Sequence, residues 1–453
     1  MSGWDRSPRT NWQVRWFAWS LALLILGLVT GVVVAATSDP DWDGTKPEKI
    51  SGSADALQPD IASSPSGQVA VVWRDNRSGQ WNVYAMVSDD NGHKWSGVEV
   101  VTVTATADIP EMPDVLIAGD RVFVGWREQA TGPSYAIYEA EITGTLPLDV
   151  RRVPDTLAVR QASSRPRLAA GGGRLHVVYN GGDETAPDIL YAVRPLTATA
   201  WPTATVMYTH TGARGSWYPA LAVGPDEQTL HVVWEERVSE SQWTAMYMSG
   251  TLNSTGVDWS PVITLSTAIE QATWPDIVTD SSGNLHIVFG EVGAGGYSEQ
   301  YVNYMRYDTV DRQWTDAGRI DPGPVDVNTT SPTFSAPRLA LLEQNDQFKA
   351  CVAWHGFRQD DPEAEEVLLR CSPDGADNWS STKTESVSRS SDKEHQGQSG
   401  WFVSIWPSIT FDASGQLHVV WQERTGASLW FDYAIYHSRS TRKVFLPLVM
   451  RNG

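Results

Sequence analysis

Aromatic and cationic side chains cluster at one kind of position in this sequence, directly beside prolines that recur along the chain. Aromatic rings offer flat apolar faces, and guanidinium groups form paired hydrogen bonds with carboxylates. Converging on one pocket, these groups would suit a carbohydrate or another anionic ligand. The candidate ligand-binding residues are Trp217, Tyr218, Trp274, Trp406, Arg165 and Arg338.

The prolines belong to a repeat that occupies most of the chain. Each repeat has a proline, a short apolar run, a glycine-containing turn and a β-rich run that ends on an aromatic residue. The prolines are Pro59, Pro113, Pro166, Pro219, Pro275, Pro337 and Pro407. Their spacing is too long for helical or leucine-rich repeats and suits four short strands. We therefore predict an all-β chain with a single β-propeller of seven four-stranded blades.

The last repeat lacks a fourth strand. Its third predicted strand ends near His437, whereas residues 48–51 precede Pro59 at the spacing expected for a fourth strand. We predict that the N-terminal and C-terminal strands pair and close the propeller, because closure removes the exposed strand edges of an open array.

Many conspicuous polar residues recur at equivalent repeat positions. Four histidines follow a leucine in the second strand, and they are His176, His231, His286 and His418. Equivalent positions on different blades are spread around a ring, so these histidines cannot converge on one metal ion. Five acids stand two residues beyond the second-strand aromatic, and they are Asp75, Glu128, Glu236, Glu291 and Glu423. We interpret both sets as structural and predict no metal site.

Composition excludes several function classes. The chain has 54 acidic against 34 basic residues and a net charge of -20, whereas nucleic-acid binding needs a basic surface. Nucleotide-binding, zinc-protease and serine-hydrolase motifs are absent from the sequence. We therefore predict no cofactor and no nucleic-acid partner, and the oligomeric state stays open.

A turn motif indicates the family. Residues Ser88, Asp90, Gly92 and Trp95 have the spacing SxDxGxxW, and a weaker copy contains Ser372, Asp374 and Trp379. This pattern resembles the Asp-box, or BNR repeat, of sialidase-like β-propellers of exported bacterial type. Its side chains bond turn amides, its glycine permits the turn, and its tryptophan packs between sheets. The Asp-box is therefore a folding element, and we expect the ligand site on the opposite loop face.

The resemblance also implies a possible activity. Sialidases bind a sugar carboxylate with three arginines and use a tyrosine activated by a glutamate as the nucleophile. Their early arginine stands in a Phe/Tyr-Arg-Ile-Pro motif, and the nearest form here is Ser164-Arg165-Pro166 in the third repeat. The family has six blades where this chain has seven repeats. No catalytic residue is therefore assigned.

The N-terminus resembles an export signal. Three arginines within residues 1–15 precede an uncharged apolar run at 16–36, which is long enough to cross a bilayer with its basic end in the cytoplasm. We predict a transmembrane signal anchor at 16–36, a tether at 37–47, a propeller at 48–440 outside the cytoplasm and an apolar tail at 441–453. Alternatively, the signal is cleaved near Ala36 and the protein is secreted.

The two cysteines, Cys351 and Cys371, both fall in the sixth repeat. Alignment of the repeats places them at adjacent ends of neighbouring antiparallel strands. Exported proteins meet an oxidising compartment, so we predict a cross-strand disulfide. Two buried free thiols are the alternative.

These observations favour a membrane-tethered extracytoplasmic propeller that binds a glycan, a peptide or an envelope component through the mouth opposite the Asp-box turns. One alternative is a retaining exo-glycosidase of sialidase type. A second is a structural module for envelope assembly. We favour binding over catalysis.

Overall fold

The computed structural model describes residues 45–441 except for 53–54, 103–108, 130–134, 144–147, 155–164, 184, 255, 267–270, 294–299, 316–317, 321–335, 345–346, 359–360, 373–378, 380–383, 389–403 and 426–431. Every regular element in this part of the chain is a β-strand, which confirms the all-β prediction. The predicted anchor at 16–36 lies outside the described residues. Within those described, no helix is long and apolar enough to cross a membrane.

The first three repeats each form a four-stranded antiparallel sheet that runs in chain order. Strand β1 (Glu48–Lys49) precedes them. Sheet 1 contains β2 (Ala56–Ser63), β3 (Val69–Asp75), β4 (Asn82–Ser88) and β5 (Glu99–Val100). Sheet 2 contains β6 (Pro110–Ala118), β7 (Arg121–Gln129), β8 (Tyr135–Ile142) and β9 (Val150–Val153). Sheet 3 contains β10 (Arg167–Gly171), β11 (Arg174–Gly182), β12 (Pro187–Pro195) and β13 (Thr205–Tyr208).

The next two repeats split their outer strand in two, and a single parallel pair, Trp243 with Gln271, joins their sheets. Sheet 4 contains β14 (Ser216–Val223), β15 (Thr229–Arg237) and β16 (Trp243–Leu252), with β17 (Val257–Trp259) and β18 (Ile263–Thr264) both paired to β16. Sheet 5 contains β19 (Gln271–Thr279), β20 (Leu285–Val292) and β21 (Gln300–Asp308), with β22 (Gln313–Trp314) and β23 (Gly318–Arg319) both paired to β21.

The last two sheets bring the chain ends together. Sheet 6 contains β24 (Arg338–Gln344), β25 (Gln347–Arg358), β26 (Asp361–Ser372) and β27 (Glu385–Ser386). Sheet 7 contains β28 (Ser404–Phe411), β29 (Leu417–Arg424) and β30 (Tyr433–Arg439). Strand β1 pairs antiparallel with β30, so that Glu48 faces His437 and Lys49 faces Tyr436. The N-terminal strand thus occupies the fourth position of the last sheet.

The first strands of successive sheets touch one another around a central axis. Strand β2 contacts β6, and the contacts continue through β10, β14, β19, β24 and β28 back to β2. This is the arrangement of a β-propeller, in which each sheet packs only on its neighbours.

The core lies between neighbouring sheets. The aromatic residue that ends the second strand is buried in each repeat, and Trp73, Trp126, Trp234 and Trp421 are fully enclosed. Three of these indoles donate a hydrogen bond to the acid two residues later, and the acceptors are Asp75, Glu128 and Glu423. Glu236 accepts from the amides of Thr211 and Gly212, and Glu291 from Asn303 and Arg319. These contacts support the structural interpretation of the recurring acids.

The recurring histidines bond across each sheet. Three of them pair through Nδ1 with a tyrosine hydroxyl of the third strand, and the pairs are His176 with Tyr191, His231 with Tyr247 and His286 with Tyr304. His418 contacts His437 instead, at 2.9 Å. Among the described residues, no group of three or more potential ligands could hold a metal ion. The contacts therefore agree with a structural role.

The first Asp-box makes the expected local contacts. The Gly92 amide donates to Ser88 Oγ at 2.9 Å, and the Lys94 amide donates to Asp90 Oδ1 at 2.7 Å. Gly92 has a φ of 70°, and a Cβ there would lie 2.6 Å from the His418 ring. Trp95 packs edge-on against His437 of sheet 7. The turn of sheet 1 is thus packed on the last sheet.

The sixth repeat carries the second Asp-box and both cysteines. Ser372 is buried and Trp379 packs on Tyr304 of sheet 5, whereas Asp374 lies outside the described residues. Cys351 and Cys371 face each other on β25 and β26 and are joined by a disulfide. This bond links the hairpin that forms the middle of sheet 6.

The buried histidines predict an acid-sensitive fold. Burial lowers the pKa of His176 and of His231 from 6.5 to about 4. The folded protein keeps these rings neutral, whereas the unfolded chain takes up protons below about pH 6.5, so stability falls as the pH drops towards 4. Each histidine accounts for about 2–3 kcal/mol at pH 4.5. We expect His176→Gln to reduce the loss of unfolding free energy between pH 7 and 4.5 by this amount, as measured by urea titration.

The matched control is His93→Gln, because His93 is exposed. It should leave the pH dependence unchanged. Equal pH profiles for His176→Gln and the unmodified protein would contradict the prediction.

Candidate functional site

The residues before the repeat prolines lie on β-bulges. In five sheets this residue has a positive φ, and the five are Gln58 (57°), Met112 (51°), Tyr218 (50°), Trp274 (50°) and Trp406 (57°). The pairing of the first two strands shifts register at the same place in each of these sheets. A bulge leaves one residue unpaired and redirects its side chain, at the cost of local backbone strain for a residue other than glycine.

The bulges bring aromatic residues of different sheets into contact. Tyr218 of sheet 4 stacks on Trp274 of sheet 5 with ring centroids 3.7 Å apart, and Trp217 lies beside Tyr218. Trp274 also meets Trp406 of sheet 7 edge-on at 5.0 Å. Sheet 6 has the small Ala336 at the equivalent position, which leaves room for this contact. The four aromatic candidates thus form one half-buried cluster.

Aspartates near the prolines join neighbouring sheets. Asp60 accepts the Val115 amide, Asp114 accepts the Leu168 amide, and Asp276 accepts the Leu339 amide. In each case the amide belongs to the next sheet. All three carboxylates are buried, so these charge-assisted bonds lie in a poorly solvated environment, where they are strong.

The arginine candidates pair with the same aspartates. Arg165 contacts Asp60 at 3.0 Å, and Arg338 contacts Asp276 at 3.4 Å. Arg167, next to the third proline, lies between Asp276 at 3.0 Å and Asp114 at 3.4 Å. The structure therefore places the arginines in a buried ion network around the axis.

The aromatic cluster and the ion network form two walls of one cleft. Its lining includes Tyr218, Trp274, Arg165, Arg167 and Arg338. Four of the six sequence candidates line it. The other two, Trp217 and Trp406, pack behind its aromatic wall.

The electrostatics of the cleft favour an anionic group. Burial raises the pKa of Asp114 to about 7, with a further contribution from the Asp60 charge, and burial also raises the pKa of Asp276. Three guanidinium groups therefore face carboxylates whose ionised form is disfavoured by burial at Asp114 and Asp276. Arg167 Nη1 is buried and has no hydrogen-bond partner among the described residues.

Two residues beside the cleft, Glu235 and Arg237, are not among the candidates predicted from the sequence. Glu235 is fully buried and accepts hydrogen bonds from Arg237 at 2.5 Å and from the Trp274 amide at 3.3 Å. The Arg237 guanidinium lies over the rings of Trp217 at 4.9 Å and Trp243 at 4.6 Å. This ion pair therefore contacts the aromatic cluster at the Trp274 amide and at the Trp217 ring.

A sequence signal for Glu235 existed. The position directly after the second-strand aromatic varies among the repeats, with arginine in two of them, and its occupants are Arg74, Arg127, Asn180, Glu235, Gly290, His355 and Gln422. The next position along the chain is different, because it holds an acid in five repeats and that acid has a structural role. A position that varies among structurally equivalent repeats is where specificity can lie.

The cleft is better suited to binding than to nucleophilic attack. Burial raises the pKa of Tyr218 to about 12, and the charge of Glu235 adds to this effect. The phenol therefore stays protonated at neutral pH and can donate a hydrogen bond. An aromatic wall, a phenol and three guanidinium groups are well placed to hold a sugar that carries acidic groups.

The ion network predicts a pH-dependent stability defect. Arg167→Met leaves Asp114 and Asp276 without their shared partner, and breaking a buried pair costs about 3–5 kcal/mol. The pKa of both carboxyls is already raised, so protonation relieves this cost at low pH. We expect a larger drop in unfolding free energy at pH 8 than at pH 5, as measured by denaturant titration.

The control is Arg319→Met, because Arg319 pairs with Glu291 while its side chain is 48% exposed. This variant should lose less than about 1 kcal/mol. A loss in Arg167→Met no greater than in the control would refute the prediction.

Comparisons with known proteins place this geometry in a family. The model of the BNR repeat-containing family matches residues 179–444, which is more than half of the chain. No curated protein matches the sequence.

Among solved structures, a PL25 polysaccharide lyase (ulvan lyase) is similar with a TM-score of 0.55 and 11% identity, over 87% of this chain and 97% of the other. A protein of unknown function from Dyadobacter fermentans has a TM-score of 0.51 and 10% identity, over 87% and 98%. The phage phi92 endosialidase has a TM-score of 0.51 and 12% identity, over 91% and 71%. At such identities the likeness shows the fold alone. The chain therefore belongs to the BNR repeat-containing family and has its sialidase-like fold.

Proposed function

We propose that the seven sheets form one propeller, closed by the pairing of β1 with β30, whose mouth binds a glycan with acidic groups. One observation carries this proposal: Tyr218 and Trp274 face Arg165, Arg167 and Arg338 across a single cleft. Aromatic side chains suit the apolar faces of sugar rings, and guanidinium groups suit carboxylate or sulfate oxygens.

Two further points support an acidic glycan. The chain as a whole carries a net charge of -20, yet three arginines line this cleft. One structure similar in fold is a polysaccharide lyase bound to -[GlcA(1-4)Rha3S]-, a chain with acidic units.

Trp274 provides the direct test of glycan binding. Its side chain is half-buried, and the hydrogen bond to Glu235 comes from its backbone, so truncation should leave the fold intact. We expect Trp274→Ala to weaken binding to acidic glycans by at least about tenfold, because aromatic contact residues dominate affinity. Glycan-array binding followed by calorimetry measures the loss, and a thermal melt close to that of the unmodified protein verifies the fold.

A matched control is Trp259→Ala in the outer strand β17, since Trp259 is also half-buried. This variant should bind normally. If neither the unmodified protein nor the control binds any glycan, the proposed function is wrong. A large loss of stability in Trp274→Ala would assign Trp274 to the core instead.

A second candidate function is glycoside hydrolysis of sialidase type. The observation that favours it is the convergence of three arginines with Tyr218, which has Glu235 close by. A tyrosine nucleophile must lose its proton to a base, and Glu235 is the carboxylate that would accept it. Cleavage of a fluorogenic sialoside that disappears in Tyr218→Phe would establish this activity. No cleavage by the unmodified protein would leave binding as the function.

We also propose that residues 16–36 tether the propeller outside the cytoplasm. The support is the apolar run preceded by arginines, and the disulfide Cys351–Cys371, which suits an oxidising compartment. We expect the full chain to sediment with membranes, to resist extraction at high salt and to be accessible to external protease. A processed soluble form outside the cell would indicate a cleaved signal. An unprocessed protein in the cytoplasm would contradict export.

A further inference from the structure

A second group of aromatic and cationic residues lies at the mouth, on sheets 1 and 2. We call it the Arg74–Arg127 cluster, and it contains Arg74, Arg127, Glu111, Trp81 and Tyr135. The two arginines occupy the variable position directly after the second-strand aromatic, which is the position of Glu235 in sheet 4. The cluster is therefore at the same end of the sheets as the cleft.

The cluster is held together by defined contacts. Arg74 Nη1 lies 2.8 Å from Glu111 Oε1, and Arg127 Nε lies 3.1 Å from Glu111 Oε2. The Arg74 guanidinium lies 4.6 Å above the Trp81 ring, and the Arg127 guanidinium lies 4.6 Å above the Tyr135 ring. Each arginine thus has both a carboxylate partner and an aromatic partner, which fixes its orientation.

Positive groups outnumber negative ones among the five residues of the cluster. Two guanidinium groups share the one carboxylate of Glu111, although the arginine side chains are only 14% and 10% exposed. Burial lowers the pKa of Arg74, and Arg74 Nε is buried with no hydrogen-bond partner in the described part of the chain. Trp81 and Tyr135 at the rim are partly exposed. A partly buried positive charge beside aromatic side chains suits an anionic sugar unit.

The cluster and the cleft face one mouth from different sheets. Arg165 and Arg167, which line the cleft, contact Asp60 of sheet 1 and Asp114 of sheet 2, yet none of the five cluster residues lines the cleft. A ligand in the cleft that extends towards sheets 1 and 2 would therefore meet the cluster next.

We propose that the Arg74–Arg127 cluster is a second subsite, so that the mouth binds an internal stretch of an acidic polysaccharide, two or more sugar units long, and not only a single terminal sugar. This inference rests on the proposed glycan-binding function. Occupation of two linked subsites by one chain raises affinity beyond that of either alone.

Chain length provides the test. The probes are galacturonate and its α-1,4-linked tetramer, titrated into the full-length protein by calorimetry. We expect the tetramer to bind at least about tenfold more tightly than the monomer, because only the tetramer reaches both subsites. Trp81→Ala should remove most of this gain and leave monomer binding unchanged, whereas Trp81→Phe should retain it. Trp274→Ala should weaken both probes.

A second variant tests the subsite even if Trp81→Ala does not fold. Arg74→Gln leaves Arg127 and Glu111 as a balanced pair and should also weaken the tetramer selectively, with a smaller dependence on salt. Equal affinities for the two probes, or equal losses for both in Trp81→Ala and Arg74→Gln, would overturn the second subsite while the proposed function stands. If neither probe binds the unmodified protein, the acidic-glycan function itself fails, and the subsite with it.

Discussion

The hydrogen bond that a buried aspartate accepts from a backbone amide of the next sheet is the interaction on which this structure depends. Neighbouring sheets of a propeller pack face to face, so the inner strands need a link that crosses from one sheet to the next. Asp60, Asp114 and Asp276 supply it through the amides of Val115, Leu168 and Leu339. A buried carboxylate in turn requires a counter-charge. The arginines that neutralise these linking aspartates are thus the same arginines that line the cleft.

The β-bulges add a second constraint. A left-handed backbone conformation directly before a proline costs free energy. Five sheets nevertheless have this conformation, so it is a feature of the scaffold and not of one site. The side chains placed there differ. Sheets 4, 5 and 7 present Tyr218, Trp274 and Trp406, whereas sheets 1 and 2 present Gln58 and Met112. A repeated backbone feature therefore presents aromatic side chains from sheets 4, 5 and 7 and non-aromatic ones from sheets 1 and 2.

Much of the fold follows from local sequence patterns. Short β-rich runs separated by turn residues predict the strands, and the missing fourth strand of the last repeat predicts the partner that β1 provides. The histidines and acids recur at equivalent positions, which predicts a structural role. Their contacts with tyrosines and indoles agree with that role. The position one residue earlier varies among the repeats and holds Glu235 and Arg127. Because a variable position forms no motif, the sequence alone does not mark these two residues.

Sequence alone determined the strand content, the repeat, the Asp-box turns and the set of aromatic and arginine residues at one end of the blades. These depend on local backbone preferences and on alternation within single strands. The tertiary structure decided which of them meet. Trp274 reaches Trp406 past Ala336, and Arg167 lies between Asp114 and Asp276. Such contacts join repeats far apart in sequence, and the rotation of the sheets about the axis sets them, so no local pattern encodes them.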